Sequence, residues 1–484
     1  MKNCIQTLSL LLFALVMASA ADAKSENYRI SLTVRNSNDS VMYMGYYYAD
    51  GSYVTDTAFR DKKGRFVFSG DKVHLLPGMY FFSASSTRWV DFVVYHEKPF
   101  FSFETDDADW VGNMEVKGSK ENEVFFNYKR GGDRIYTDYQ QRMRQADSAE
   151  RRLLEAEMLA QQREWKNQVI RENPGRMISL VMQATKEIYP SIPVVSANGD
   201  TLTQRQRYAF FMEHYFDSMP LQDDMLVRTP KAVFYQRVMD YFDVYLKGAP
   251  PEEIIAYADK LIEKARPSRE NFKWLVHAIK EKYLHSNITP YEAVAVHMIQ
   301  RYYASGDAFW CSASTIDEMS ALAEKWDRLL IGRVAPELIL FDTLRMPHSL
   351  HHLPHRYKLL VFWSPTCGHC KSMVPAIYES YRKLAEEYDI GTFAILSEPD
   401  DATRPLWHKF IAEHHLDWLN LDGGEANIDW HDVYNVVTTP QMFLLDEQNH
   451  IIAKKFNAET FERIVPVLCE PKVTPNPIPT NNQQ

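Results

Sequence analysis

The sequence predicts a multidomain chain: an N-terminal β-sandwich, an all-α middle domain and a C-terminal α/β domain. Three observations carry this. At 484 residues the chain is too long for a single core. With 45% hydrophobic and 24% charged residues it has the makeup of a chain that buries cores rather than one that stays disordered. The hydrophobic period also changes twice, from alternation, to steps of three and four residues, to strand-length apolar runs separated by helical patterns.

Residues 1–23 read as a Sec-type signal peptide. Lys2 supplies a short positive segment, Leu8 to Ala20 is apolar, and Ala18-Ser19-Ala20 and Ala21-Asp22-Ala23 both fit a small-x-small cleavage site. The apolar run has 13 residues, against the roughly 20 that cross a bilayer. No stable membrane span is expected, and the mature chain is placed in the periplasm or cell envelope. Cys4 precedes the apolar run, so it leaves with the signal.

Residues 24–120 form the predicted antiparallel β-sandwich. Short runs such as Tyr28 to Val34, Val41 to Tyr48, Arg65 to Phe68, Gly78 to Phe82 and Phe92 to Tyr95 are broken at Asn36-Ser37-Asn38-Asp39, Lys63-Gly64 and Pro77-Gly78. Aromatic residues alternating along such strands read as core rather than as a carbohydrate-binding face. Residues 121–330 are expected to be helical. A long charged helix from Tyr136 to Ile170 carries Met143, Ala146, Leu154, Met158, Trp165 and Val169 at mostly three- and four-residue steps. Further helices are expected up to Leu329, separated by Pro190-Ser191-Ile192-Pro193, Gly248-Ala249-Pro250-Pro251 and Asn287-Ile288-Thr289-Pro290.

Residues 331–470 alternate strand and helix, which implies a largely parallel sheet covered by helices. Leu359 to Trp363 and Thr392 to Leu396 are buried strands, and helices follow at Lys371 to Tyr388 and Thr403 to His414. Two more strands come at Met442–Leu445 and Ile451–Phe456, and a last helix at Ala458–Cys469. The Pro- and Asn-rich tail 471–484 reads as disordered.

Chemistry concentrates at Trp363-Ser364-Pro365-Thr366-Cys367-Gly368-His369-Cys370-Lys371, between a buried strand and a helix. Helix N-terminal amides favour a thiolate, so Cys367 is the expected attacking sulfur. Cys370, one turn on, is the expected resolving thiol. His369, when protonated, adds positive charge beside the pair and predicts a less reducing couple. Zinc is the competing use of C-x-x-C, but Cys311 and Cys469 stand apart and supply no second ligand pair. Cys311 and Cys469 are expected to be buried free thiols. A second cluster, His348, His351, His352 and His355, reads as the turn and second strand of a hairpin, with His351 and His352 on opposite faces rather than around a metal.

These motifs resemble the thioredoxin-fold domain of TlpA/ResA-type envelope disulfide reductases. The matching residues are Gly332-Arg333-Val334-Ala335-Pro336-Glu337-Leu338, Phe362-Trp363, Cys367-Gly368-His369-Cys370-Lys371 with Pro375, and Val437-Thr438-Thr439-Pro440-Gln441-Met442-Phe443. The resemblance implies that Pro440 is cis and lies against the C-x-x-C, that Thr439 pairs with a substrate peptide, and that Trp363, Gly368 and His369 tune the pair. It implies no metal and no cofactor, and as partners protein disulfides and an upstream electron-donor protein. Two departures stand out. Val361 replaces a buried carboxylate, and Met373 replaces a Glu that follows the second cysteine in many relatives, leaving Glu398 or solvent as the base. Residues 24–330 resemble the domains of unknown function that precede such modules, and they carry no activity across.

The resulting expectation is an envelope thiol-disulfide oxidoreductase that reduces protein disulfides. Its rivals are a disulfide oxidase or isomerase, in which Gly368-His369 also occurs, and a non-catalytic glycan- or protein-binding protein on a thioredoxin scaffold. A net charge of −10 argues against nucleic-acid binding. The absence of G-x-G-x-x-G and G-x-x-x-x-G-K-[ST] argues against nucleotides.

Overall fold

The computed structural model describes residues 26–71, 74–186, 195 and 198–472, so the signal-peptide segment 1–23 and residues 473–484 of the tail lie outside the described residues. It divides into two compact units. One holds the chain up to residue 248 with 259–274, and the other holds 249–258 with 275 onward.

In the first unit, eight strands form two four-stranded sheets. The first sheet runs β4 (Arg65–Gly70), β1 (Tyr28–Arg35), β7 (Phe100–Asp106), β8 (Glu115–Lys117), and the second β3 (Gly51–Phe59), β2 (Val41–Tyr48), β5 (Gly78–Ser85), β6 (Arg88–Val94). Alternation puts Ile30, Leu32 and Val34 inside, opposite Phe66 and Phe68 on β4 and Phe101 and Phe103 on β7. Phe82 of one sheet lies against Phe68 and Phe103 of the other, with centroids 5.4 and 5.5 Å away, so the sheets close on an aromatic core. The sandwich is not wholly antiparallel: β1 and β7 run parallel. More than sixty residues separate their starts, room enough for a connection that a hairpin does not provide.

The expected single helix from Tyr136 to Ile170 is two, α1 (Lys120–Met143) and α2 (Ser148–Glu172). Asp147 breaks it, because its carboxylate accepts from the backbone N–H groups of Ala149 and Glu150 and starts a new helix. Ser119 caps α1, and buried Asn122 bonds both the N–H and the carbonyl of Val93, tying α1 to β6. Where α1 meets α2, a Cβ on Gly131 would fall 2.4 Å from the Trp165 ring, so only glycine permits that approach.

The second unit carries α3 (Glu292–Met298) and a helix at Ala313–Asp327, followed by a seven-stranded sheet. Its order is β10 (Pro347–Ser349), β9 (Ile339–Asp342), β13 (Asn420–Asp422), β12 (Ile390–Leu396), β11 (Tyr357–Trp363), β14 (Gln441–Leu445), β15 (Ile451–Lys454). Only β11–β12 and β12–β13 pair parallel, and the outer strands are antiparallel, so the sheet is mixed rather than largely parallel. Short hairpins join β9 to β10 and β14 to β15, and a hairpin forces antiparallel pairing. Every residue of β11 and β12 is buried, as expected of strands covered on both faces. On one face Leu359, Val361 and Trp363 pack with Val374 and Ile377 of α4 (Cys370–Tyr388), Trp407 of α5 (Thr403–Glu413) and Phe461 of α6 (Ala458–Leu468). On the other face Leu360 and Phe362 meet Trp430 and Tyr434.

Candidate active site

The site forms where central strand β11 ends and α4 begins. The helix starts at Cys370 itself, and Cys367 occupies the turn before it. Cys367 is half-buried and Cys370 fully buried. Across the gap, the Thr439-Pro440 peptide bond is cis, and the Cys367 thiol donates to the Thr439 carbonyl at 3.2 Å. Residues 72 positions apart in sequence are thereby brought together at the C-terminal end of β11.

The two sulfurs sit in opposite environments. Burial works against a charge on Cys367, but hydrogen bonds from the Thr439 and Cys370 side chains and from the backbone N–H groups of Cys370 and His369 outweigh it and hold its pKa below the ordinary 9.0. Burial dominates at Cys370 and pushes its thiol up to about 12. One sulfur is reachable and ionises more readily than an ordinary thiol, while the other is sealed and resists ionisation.

The remaining sequence-predicted residues are less evenly placed. Trp363 is buried against Phe410, with its ring centroid 5.1 Å away, so it supports the loop from beneath. Gly368 and His369 are exposed, and a side chain at Gly368 would meet nothing within 4 Å. Val361 is buried in the core and offers no charge. The Glu398 carboxylate accepts from the Ser364 hydroxyl at 2.7 Å and the Thr366 hydroxyl at 2.8 Å, which fixes the loop that delivers Cys367. The roles of Ser364 and Thr366 are not visible in the sequence, since their partner lies more than thirty residues away. Met373 lines a groove of about 400 Å³ beside the cis-proline, together with Thr438, Pro440, Gln441, Met442 and others.

The four histidines hydrogen-bond to different groups, although His351 and His352 both lie within 4 Å of the Glu337 carboxylate. His348 bonds Asp342, His351 the Ala335 carbonyl, His352 the Ser349 hydroxyl and His355 Asp389. Only His348 lies on β10; His351 and His352 occupy the turn after it, because the strand ends at Ser349. Among the described residues no group of three or more His, Cys, Asp or Glu is placed to hold a metal. Cys311 and Cys469 are free thiols; Cys311 is half-buried, and burial pushes the Cys469 thiol up to about 12. Among the described residues no helix is long and apolar enough to cross a membrane.

A mixed sheet covered on both faces, a C-x-x-C at the mouth of its central strand and a cis-proline opposite define a thioredoxin-like oxidoreductase. Comparison with known proteins makes the relationship particular: residues 355–451 match the family model described as Thioredoxin-like, and residues 28–125 and 158–306 each match a Domain of unknown function, DUF4369 and DUF5106. The chain is similar to the thiol-disulfide oxidoreductase ResA of Bacillus cereus, 26% identical over 150 residues that cover 31% of this chain and 82% of the relative. ResA of Bacillus anthracis is 25% identical over the same shares. A thioredoxin-like protein from Bacteroides caccae of known structure superposes on 58% of this chain and 99% of its own, at 20% identity and a TM-score of 0.46.

Proposed function

We propose that this protein is a thiol-disulfide oxidoreductase of the bacterial envelope that reduces protein disulfides through Cys367 and Cys370. The proposal includes export by the N-terminal signal peptide, domain limits at 24–120, 121–330 and 331–470, and resupply of electrons by a donor protein. The observation that carries it is the pairing of a reachable Cys367 of lowered pKa with a sealed Cys370, beside the Thr439 carbonyl.

The Cys367 thiolate attacks one sulfur of a substrate disulfide. A new S–S bond forms, the old one breaks, and the departing sulfur takes up a proton. Cys370, once deprotonated, attacks Cys367, and the second substrate sulfur leaves and is protonated in turn. Two electrons have then passed to the substrate, and the protein holds a Cys367–Cys370 disulfide that an external dithiol must reduce. Thr439 would pair with the substrate backbone beside Pro440.

Burial of Cys370 disfavours a second charge in the reduced state and so favours a reducing couple, whereas the stabilised Cys367 thiolate favours the reduced state and opposes it. His369 is exposed, where water and salt screen its charge, so its opposing effect is small. A measured potential nearer the roughly −270 mV of thioredoxin than the roughly −180 mV of a disulfide isomerase supports the reductase reading. Insulin reduction with dithiothreitol as donor tests the reading. The unmutated protein should catalyse it and Cys367→Ser should not; equal rates from both would leave the thioredoxin-like domain a scaffold.

A further inference from the structure

Glu292 opens α3, within the stretch matched by the model of unknown function that spans residues 158–306. It is buried, and it faces two consecutive lysines: Lys454 Nζ donates to Oε2 and Lys455 Nζ to Oε1, each at 2.5 Å. Lys454 is buried at the end of β15, whereas the Lys455 side chain remains largely exposed. Lys455 has φ 56°, a left-handed conformation uncommon outside glycine, and its N–H bonds the Met442 carbonyl. Held at both ends, it stands on the groove that Pro440, Gln441, Met442 and Phe456 also line. Burial lowers the Lys454 pKa, so the cationic group that the cluster presents towards solvent is that of the exposed Lys455. Among the described residues lining the groove, Lys455 is the only one with an ionisable side chain.

We propose that Lys455 is a specificity residue and Glu292 its positioning residue, so that the groove beside the cis-proline selects disulfide peptides with an acidic residue next to an apolar one. Charge complementarity and continuity carry this: Thr438, Pro440 and Met442 line the groove, and Thr439 between them meets Cys367. Glu292 thereby gives the helical segment of unknown function a place in substrate choice. The proposal rests on Cys367 being the attacking sulfur.

Two peptides with the same intramolecular disulfide and the same flanking leucine, one with Glu and one with Lys beside it, test the idea in the full-length protein with dithiothreitol as donor. The Glu peptide should show the higher kcat/KM, by about fivefold through KM, as for an exposed ion pair. That advantage should shrink as salt rises. Lys455→Met should abolish it through KM, Lys455→Arg should restore part of it, and Glu292→Gln should weaken it. The pH profile of Cys367 alkylation, which a general loss of fold would move, should stay put in the Lys455 variants. Equal kcat/KM for the two peptides, or a preference that survives Lys455→Met, overturns the proposal. Failure to reduce either peptide would instead strike at the oxidoreductase reading beneath it.

Discussion

Cys367 and Cys370 differ by three positions and by almost everything else that governs a thiol. Because only the thiolate is nucleophilic, iodoacetamide should modify Cys367 with a midpoint below 9.0 and leave Cys370 untouched until near 12. Mass spectrometry of peptides quenched across a pH series reads both, and a single shared midpoint would contradict the assignment. The raised Cys370 pKa also carries a sign for stability. The folded state prefers its thiol, so that contribution is complete below 9.0 and lost as pH climbs toward 12. Glu398 acts on the same loop through two hydroxyl bonds. Glu398→Ala should lower stability by about 1 kcal/mol with an unchanged denaturant slope. The cysteine pair was legible because its members are neighbours in sequence, whereas Glu398 was read only as a candidate base, since its bonds to Ser364 and Thr366 span more than thirty positions.

At the level of elements, the strand-loop-helix around the cysteines could be read from the apolar run Leu359 to Trp363 and the amphipathic pattern after it, and the C-terminal strands and helices fall close to expectation. The departures share a cause. Asp147 lies inside the stretch expected to be one helix, but its side chain reaches backbone N–H groups and divides that helix. The parallel pairing of β1 with β7 is a long-range choice that alternation along a strand does not encode. Gly131 gives an element-level test in which two effects oppose. Alanine favours a helix over glycine by about 1 kcal/mol. Its methyl group, however, would collide with the Trp165 ring, whose indole N–H is fixed on the Tyr128 carbonyl at 3.2 Å, and overpacking of that kind costs about 1–3 kcal/mol. Gly131→Ala should therefore lower the stability measured by denaturant unfolding; a gain would show that α2 shifts freely.

Across the whole molecule, a thioredoxin-like domain is joined in one chain to two stretches of unknown function. Glu292 and Lys454 lie 162 residues apart, so no reading of local pattern could have joined them. Glu292 belongs to the 158–306 stretch, and its contact with Lys454 and Lys455 is where a physical account of that stretch starts. What the account depends on is simpler: Cys367 makes the first bond to substrate and Cys370 breaks it. The most direct measurement is therefore to produce the Cys370→Ser chain in a bacterial envelope and map its adducts by non-reducing electrophoresis and mass spectrometry. The account predicts mixed disulfides through Cys367 that dithiothreitol dissolves and that vanish when Cys367 is also replaced by Ser. No adducts, or adducts through Cys311 or Cys469 alone, would contradict it.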